Sequence, residues 1–260
     1  MPPSASQAAA REAFPRGLVQ PEGGFRFGGD ALLLAAFAAG LPGSRVADLG
    51  TGCGAAGLGY LLASGEADAT VLGLDRDPAM VAAAGQNAAS LGLAERFTAR
   101  LVDLRHIREA DGLAPESFDL ILCNPPYRDP GSGRRPAGTA RDAARFEVGG
   151  SLTDFAAAAA FLLVNKGLFA CIHLAERLTH VAAALAERRL EIKRLLPVAP
   201  RADAPARQIL LLARKNGGPG LVLEPPLALH AGTGPESRLT EAALRFCPAL
   251  ACNAAPRRRA

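Results

Sequence analysis

The sequence predicts an α/β fold: a doubly wound, mostly parallel sheet of seven strands that ends in an antiparallel hairpin. Three observations predict it. Short apolar segments alternate with helical stretches from residue 45 onward, which calls for strands joined by crossover helices. Each strand segment is almost wholly apolar, as required when both faces of a sheet are covered. The last two segments, 190–198 and 207–214, have no helix between them. A loop that short cannot make a parallel crossover, so this pair must be antiparallel.

Taken in order, residues 1–24 are rich in Pro, Ala and Gly and read as a loose lead-in. Asp30 precedes the run ALLLAAFAA and is expected to N-cap a helix that stops at Gly40. RVADL (45–49) is the first strand, followed by a helix over 55–63. ATVLGLD (69–75) is a strand and 78–91 a helix; 97–103 and FDLILCN (118–124) are two more strands. Ser151 with Asp154 forms a capping box ahead of SLTDFAAAAAFLLV. LFACIHL (168–174) is a strand, 178–189 a helix, and LEIKRLLPV (190–198) with RQILLLAR (207–214) the closing hairpin. LVLEPPL (221–227) leads to a short helical tail over 235–246 and a basic stretch at 257–259.

Composition sets the limits on function. The chain has 260 residues, 49% of them hydrophobic, and its mean hydropathy is +0.14, which excludes a disordered or collagen-like protein. A chain of this length buries its own core without staples. Only Lys166, Lys193 and Lys215 among the 29 basic residues are lysines, and alanine supplies 55 positions, a pattern of GC-rich codon usage. A net charge of +4 permits an anionic partner without requiring one. The five cysteines form no CxxC pair, and their odd count argues against a secreted disulfide framework. Cys171-x-His173 lies in an apolar strand and reads as core, so no metal site is expected. The N-terminus lacks a signal-peptide run, and the longest apolar runs are too short to span a bilayer. A cytoplasmic protein is expected, with no membrane partner.

The first chemical signal is VADLGTGCGAAGL, which sets Gly50, Gly52 and Gly54 between a strand and a helix. Glycines there allow positive φ and close approach of a ligand to the backbone. Ligands of open α/β sheets bind at the carboxyl ends of strands. The spacing is G-x-G-x-G, and Asp48 precedes it on the strand. An acidic turn suits the cationic sulfonium and ammonium groups of S-adenosylmethionine better than a pyrophosphate. Asp75 ends the second strand, where a carboxylate can chelate ribose hydroxyls, and Asp103 ends the third, where it can accept from an adenine amine.

The second signal is Asn124-Pro125-Pro126-Tyr127 at the end of the fourth strand. Two prolines fix φ and remove N–H donors, leaving a rigid array of acceptors. The Asn124 amide oxygen and the Pro125 carbonyl can both accept from one exocyclic NH2, which frees the nitrogen lone pair for attack on a sulfonium methyl. Tyr127 can stack on a planar base or amide. Such a transfer needs positioning and electrostatics rather than a strong base.

DLGTGCG, the acids at 75 and 103, and NPPY together resemble the class I amino-methyltransferases, over roughly residues 45–215. The resemblance implies a Rossmann-like fold and an S-adenosylmethionine cofactor. It implies cofactor contacts at Asp48, Gly50, Thr51, Gly52, Asp75, Asp103 and Asn124, and a catalytic turn at Asn124, Pro125, Pro126 and Tyr127. Beyond the core, FRFGGDALLLAAFA (25–38), ARFEVGGSLTDF (144–155) and APARQILLLAR (204–214) resemble the bacterial valine-tRNA adenine-N6 methyltransferases. That family methylates the adenine immediately 3′ of the anticodon. The likeness implies that Asp30 and its neighbours close over the cofactor. It divides the chain into a lead-in with a covering helix (1–44), a methyltransferase domain (45–217) and a C-terminal appendage (218–260). Members often carry tyrosines in that appendage, whereas PESRLTEAALRF has none.

Beside NPPY, the stretch 128–145 carries Arg128, Arg134, Arg135, Arg141 and Arg145 against Asp129 and Asp142. Arginines there can neutralise phosphates and stack on unpaired bases, which makes tRNA the expected partner. Three other readings stay open. The same NPPY chemistry serves protein-glutamine N5 methylation of release factors, a family that usually has a helical domain ahead of the glycine loop. Guanine-N2 methylation of ribosomal RNA is another. The third is a non-catalytic RNA-binding module, against which the intact glycine loop and NPPY both count.

Overall fold

The structure is a computed structural model that describes residues 3–22, 26–66, 68–127 and 150–253. Seven long strands form its sheet: β1 (Arg45–Leu49), β2 (Thr70–Asp75), β3 (Phe97–Leu101), β4 (Phe118–Cys123), β5 (Leu163–Leu174), β6 (Leu190–Ala199) and β7 (Gln208–Lys215). They lie in the order β3-β2-β1-β4-β5-β7-β6. β1 to β5 run parallel to one another, while β7 is antiparallel to both β5 and β6. Two short strands beyond the expected seven, β8 (Val222–Leu223) and β9 (Leu227–Ala228), also pair with β6, so LVLEPPL extends the sheet.

Alternation along each strand sends side chains to two apolar layers. On one face Val46, Leu120, Ile172 and Leu210 pack under α2 (Gly29–Ala39), α3 (Ala55–Ala63) and α4 (Pro78–Ser90). On the other, Leu49, Ile121, Phe169 and Leu211 pack under α5 (Leu152–Leu162) and α6 (Leu178–Ala186). Leu34, Leu122 and Phe169 are 0% exposed, and each such side chain contributes roughly 1.5–3 kcal/mol of transfer free energy. The Ser151–Asp154 capping box at the start of α5 is present as expected.

Several boundaries differ from the sequence reading, each for a local reason. The lead-in contains α1 (Ala5–Ala13), closed by a Ser4–Gln7 capping box. Arg11 Nε and Nη2 tie it to the carbonyls of Leu91 and Gly92 at 2.7 and 3.0 Å. Asp30 is not the N-cap of α2; Gly28 is, and Asp30 sits in the first turn. β3 stops at Leu101, and Asp103 instead caps a 3₁₀ turn over Leu104–Glu109. α6 ends at Ala186, short of Arg189, whose φ of +59° is left-handed. The tail is not one helix over 235–246: a 3₁₀ turn at Gly234–Glu236 and a small hairpin, β10 (His230–Ala231) with β11 (Arg238–Leu239), precede α7 (Glu241–Phe246). Together with α8 (Leu250–Asn253), α7 packs on α2, where Cys247 Sγ donates to the Leu32 carbonyl.

Candidate active site

The order of the sheet reverses between β1 and β4, which opens a crevice at their carboxyl ends. The glycine loop lies there. Gly50, Gly52 and Gly54 have φ of +68°, +55° and +88°, a left-handed run that L-residues resist. The N–H groups of Gly50 and Thr51 donate to the Leu74 carbonyl at 2.8 and 3.0 Å, folding the loop across the end of β2. A Cβ on Gly50 would stand 3.1 Å from the Phe155 ring, whereas one on Gly52 would meet only open space. The loop is backed by protein at Gly50 and open to a ligand at Gly52.

The three acids do different jobs. Asp48 does not sit at a strand tip facing a cation; it is 2% exposed, inside the turn. Its Oδ2 accepts from Thr51 Oγ1 at 2.7 Å and from the Gly57 N–H at 3.0 Å. Burial raises its pKa from 3.8 to about 6, against the lowering effect of those two bonds. Asp48 therefore braces the loop, and Thr51 is its partner. Asp75 does end β2 and is half-buried. It accepts from Gly52 N at 2.8 Å through Oδ2 and from Asp77 N at 2.9 Å through Oδ1. Burial raises its pKa above the ordinary carboxylate value. Asp103 is held by the Arg105 guanidinium, with Nε at 3.0 and 3.1 Å from its two oxygens, and this bond lowers its pKa to about 2.

Asp103, Leu101, Arg76, Asp77 and Pro78 line a cavity of about 480 Å³ beyond the tips of β2 and β3. Each Asp75 oxygen retains a lone pair after its backbone bond, so the carboxylate can still accept from two hydroxyls. An open glycine loop, a carboxylate with free lone pairs and a cavity with ample room for a nucleobase fit S-adenosylmethionine. Among the described residues no His/Cys/Asp/Glu group could hold a metal, and no helix is long and apolar enough to cross a membrane.

Asn124 follows β4, whose last residue Cys123 pairs with Leu49 and Cys171. This places it next to Gly50 across the crevice. It is half-buried, and among the described residues no hydrogen bond occupies its side-chain amide. Pro125 is buried behind it. The Tyr127 hydroxyl donates to Asp30 Oδ2 at 2.8 Å and accepts from Gln208 Nε2 at 3.3 Å. Its ring meets His173 edge-on, with centroids 5.3 Å apart. Burial and the Asp30 carboxylate hold the phenol protonated far above its usual range. Asp30 thus contacts the Asn124–Tyr127 turn.

The sequence reads His173 as strand core, and it is buried; Gln208 was not singled out, and nothing local in the sequence signals that either meets Tyr127. His173 is 2% exposed, accepts from the Leu174 N–H through Nδ1, and is kept neutral by burial. Cys123 is buried core, as expected. Arg128, Arg134, Arg135, Arg141 and Arg145 lie outside the described residues, as does the basic stretch 257–259.

Comparison with known proteins identifies similar chains and folds. A family described as "Methyltransferase domain" matches residues 42–163. The chain is 30% identical over 196 residues to the tRNA1(Val) (adenine(37)-N6)-methyltransferase of Yersinia pestis, covering 74% of this chain and 75% of that protein. It is 44% identical over 86 residues to the release factor glutamine methyltransferase of Cereibacter sphaeroides, but this match spans only 33% of this chain and 28% of the relative. Among solved structures, one described as a predicted O-methyltransferase from Agrobacterium tumefaciens superposes with a TM-score of 0.66 at 24% identity, covering 85% of this chain and 96% of that one. That likeness is of fold.

Proposed function

Because this chain belongs to the class I S-adenosylmethionine-dependent methyltransferases, we propose that it transfers a methyl group to an exocyclic amine, and that the amine is adenine N6 in the anticodon loop of a tRNA. The observation that carries the reading is Asn124: an amide without a partner among the described residues, at the rim of the crevice, in a turn stiffened by two prolines. When bound, S-adenosylmethionine supplies an electrophilic methyl carbon on a cationic sulfur. The Gly52 loop and Asp75 hold it, with the Asp103 cavity beside them. Asn124 Oδ1 and the Pro125 carbonyl accept the two N–H bonds of the incoming amine, so its lone pair leaves conjugation and points across the crevice. This is catalysis by placement and fixed dipoles.

The RNA substrate rests on two supports: a tRNA-modifying relative aligned over three-quarters of both chains, and the arginines at 128, 134, 135, 141 and 145 that follow the turn. An adenine beside the anticodon is already in a loop, so splaying it out costs less than breaking a duplex pair. A second reading, glutamine N5 methylation of a release factor, is favoured by the 44% identity to such an enzyme over 86 residues. Labelled-methyl transfer to bulk tRNA, ribosomes and release factor separates the two. The tRNA reading expects N6-methyladenosine to vanish from the tRNA of a deletion strain. Its persistence, with release-factor methylation lost, would establish the second reading.

A further inference from the structure

The Asp30–Tyr127 bond joins residues 97 positions apart, and neither composition nor motif accounts for it. Asp30 is itself fixed. Its Oδ1 accepts from the N–H groups of Gly28 and Ala31 at 3.1 and 2.9 Å, at the N-terminal end of α2, where the helix dipole favours a carboxylate. Its Oδ2 is left to face the phenol. From the opposite side Gln208, the first residue of β7, donates to the same hydroxyl. His173, near the end of β5, sets the plane of the ring, and its own tautomer is set by the Leu174 N–H on Nδ1. Three elements distant in sequence converge on one side chain.

Tyr127 is tied to Asn124 by a short, stiff tether. Pro125 and Pro126 remove two of the φ rotations that separate them. Whatever fixes the ring therefore fixes the direction of the Asn124 amide and the Pro125 carbonyl. The phenol's one proton is spent on Asp30 and a lone pair on Gln208, so its hydroxyl faces the scaffold rather than an acceptor.

We propose that Asp30 is a positioning residue for methyl transfer, acting through Tyr127 to aim the Asn124–Pro125 acceptors, with Gln208 and His173 as the other two supports of the same strut. This assignment rests on the proposed transfer to an amine, and it replaces the expectation that Asp30 covers the cofactor.

The test exploits the composition: the chain has two tyrosines and no tryptophan, and the second, Tyr60, is buried with its hydroxyl on the Gly43 carbonyl. Ring-labelled tyrosine therefore gives two NMR signals in the full chain, Tyr60 reporting the fold and Tyr127 the strut. In Asp30→Ala the Tyr127 signal moves while that of Tyr60 stays, calorimetric affinity for S-adenosylmethionine stays within about two-fold, and kcat falls by roughly 10- to 100-fold, the scale of a small misplacement of reacting groups. Asp30→Asn, whose single acceptor oxygen can serve the phenol or the helix N–H groups but not both, recovers only part of kcat. Tyr127→Phe loses as much as Asp30→Ala, and the double variant loses no more than either. The proposal is overturned if the Tyr127 signal does not move, or if cofactor affinity falls while kcat holds. If Asp30→Ala does not fold, equal rates for wild type and Tyr127→Phe overturn it as well. Should tRNA accept no methyl group, the substrate reading fails by itself; the NMR and calorimetric arms still decide the strut, and the kinetic arm runs on release factor.

Discussion

Asp48→Asn isolates the energetic cost of the glycine loop. The carboxyl titrates near 3.8 when unfolded and near 6 in the folded chain, mainly because it is buried. The folded pKa is the raised one, so the associated stability is fully present below about pH 4 and is lost as pH rises through about 6. The gap of about two pH units corresponds to roughly 3 kcal/mol, complete near pH 7.5. An asparagine keeps an oxygen for Thr51 Oγ1 and the Gly57 N–H but has nothing to ionise. The two proteins should therefore differ in a way that changes with pH. Relative to wild type, the variant should gain roughly 3 kcal/mol between pH 4 and pH 7.5, whatever constant offset the altered hydrogen bonds introduce. Urea denaturation of both proteins at a series of pH values in this range measures that difference. A difference flat with pH would refute the reasoning, since it would mean that Asp48 is ionised at no unusual cost.

Other outcomes follow from the same geometry. Asn124→Ala should leave cofactor affinity intact and lower kcat by about two orders of magnitude, the scale of losing one preorganised polar group, as read by single-turnover methyl transfer. Asp75→Ala should weaken calorimetric binding of S-adenosylmethionine by ~1.5–3 kcal/mol for each charge-assisted bond removed. Gly57→Ala places a Cβ 2.9 Å from both the Phe97 ring and Val71 Cγ1, and should destabilise the fold by about 1–3 kcal/mol in urea denaturation. Burial raises the pKa of Tyr127 and Tyr60, so above about pH 10 the unfolded chain sheds phenol protons first and stability falls. Tyrosinate absorbance should then appear together with loss of circular dichroism, not before it. Arg134→Ala with Arg135→Ala should flatten the salt dependence of tRNA binding by about 0.7 for each phosphate no longer neutralised and spare cofactor affinity, as measured by filter binding across a salt series.

The sheet was legible because its strands are apolar on both faces and because the 190–198/207–214 connection is too short for a crossover. The glycine loop and NPPY were legible because each is local. Asp48 was legible as an acid but not as a buried one. The Asp-x-x-Thr spacing that pairs it with Thr51 is local, but the sequence reading took Thr51 as a cofactor contact. α1 was hidden because no residue in it is buried; its support comes from a cap and from carbonyls some 80 positions away. The Asp30–Tyr127–Gln208 cluster was hidden for the same reason, its members lying 97 and 81 positions apart.

The place of β7 between β5 and β6 has a consequence for synthesis on the ribosome. The strand that joins β6 to the rest of the sheet leaves the exit tunnel after both of its neighbours, and it carries Gln208. A nascent chain that has emerged only through β6 has an open β5 edge and a Tyr127 lacking one of its hydrogen-bond donors. Such an edge invites pairing with other chains, so translation stalls or truncations ahead of residue 208 should yield aggregation-prone products. The order of emergence thus completes the hydrogen bonds of Tyr127 only when β7 joins β5 to β6.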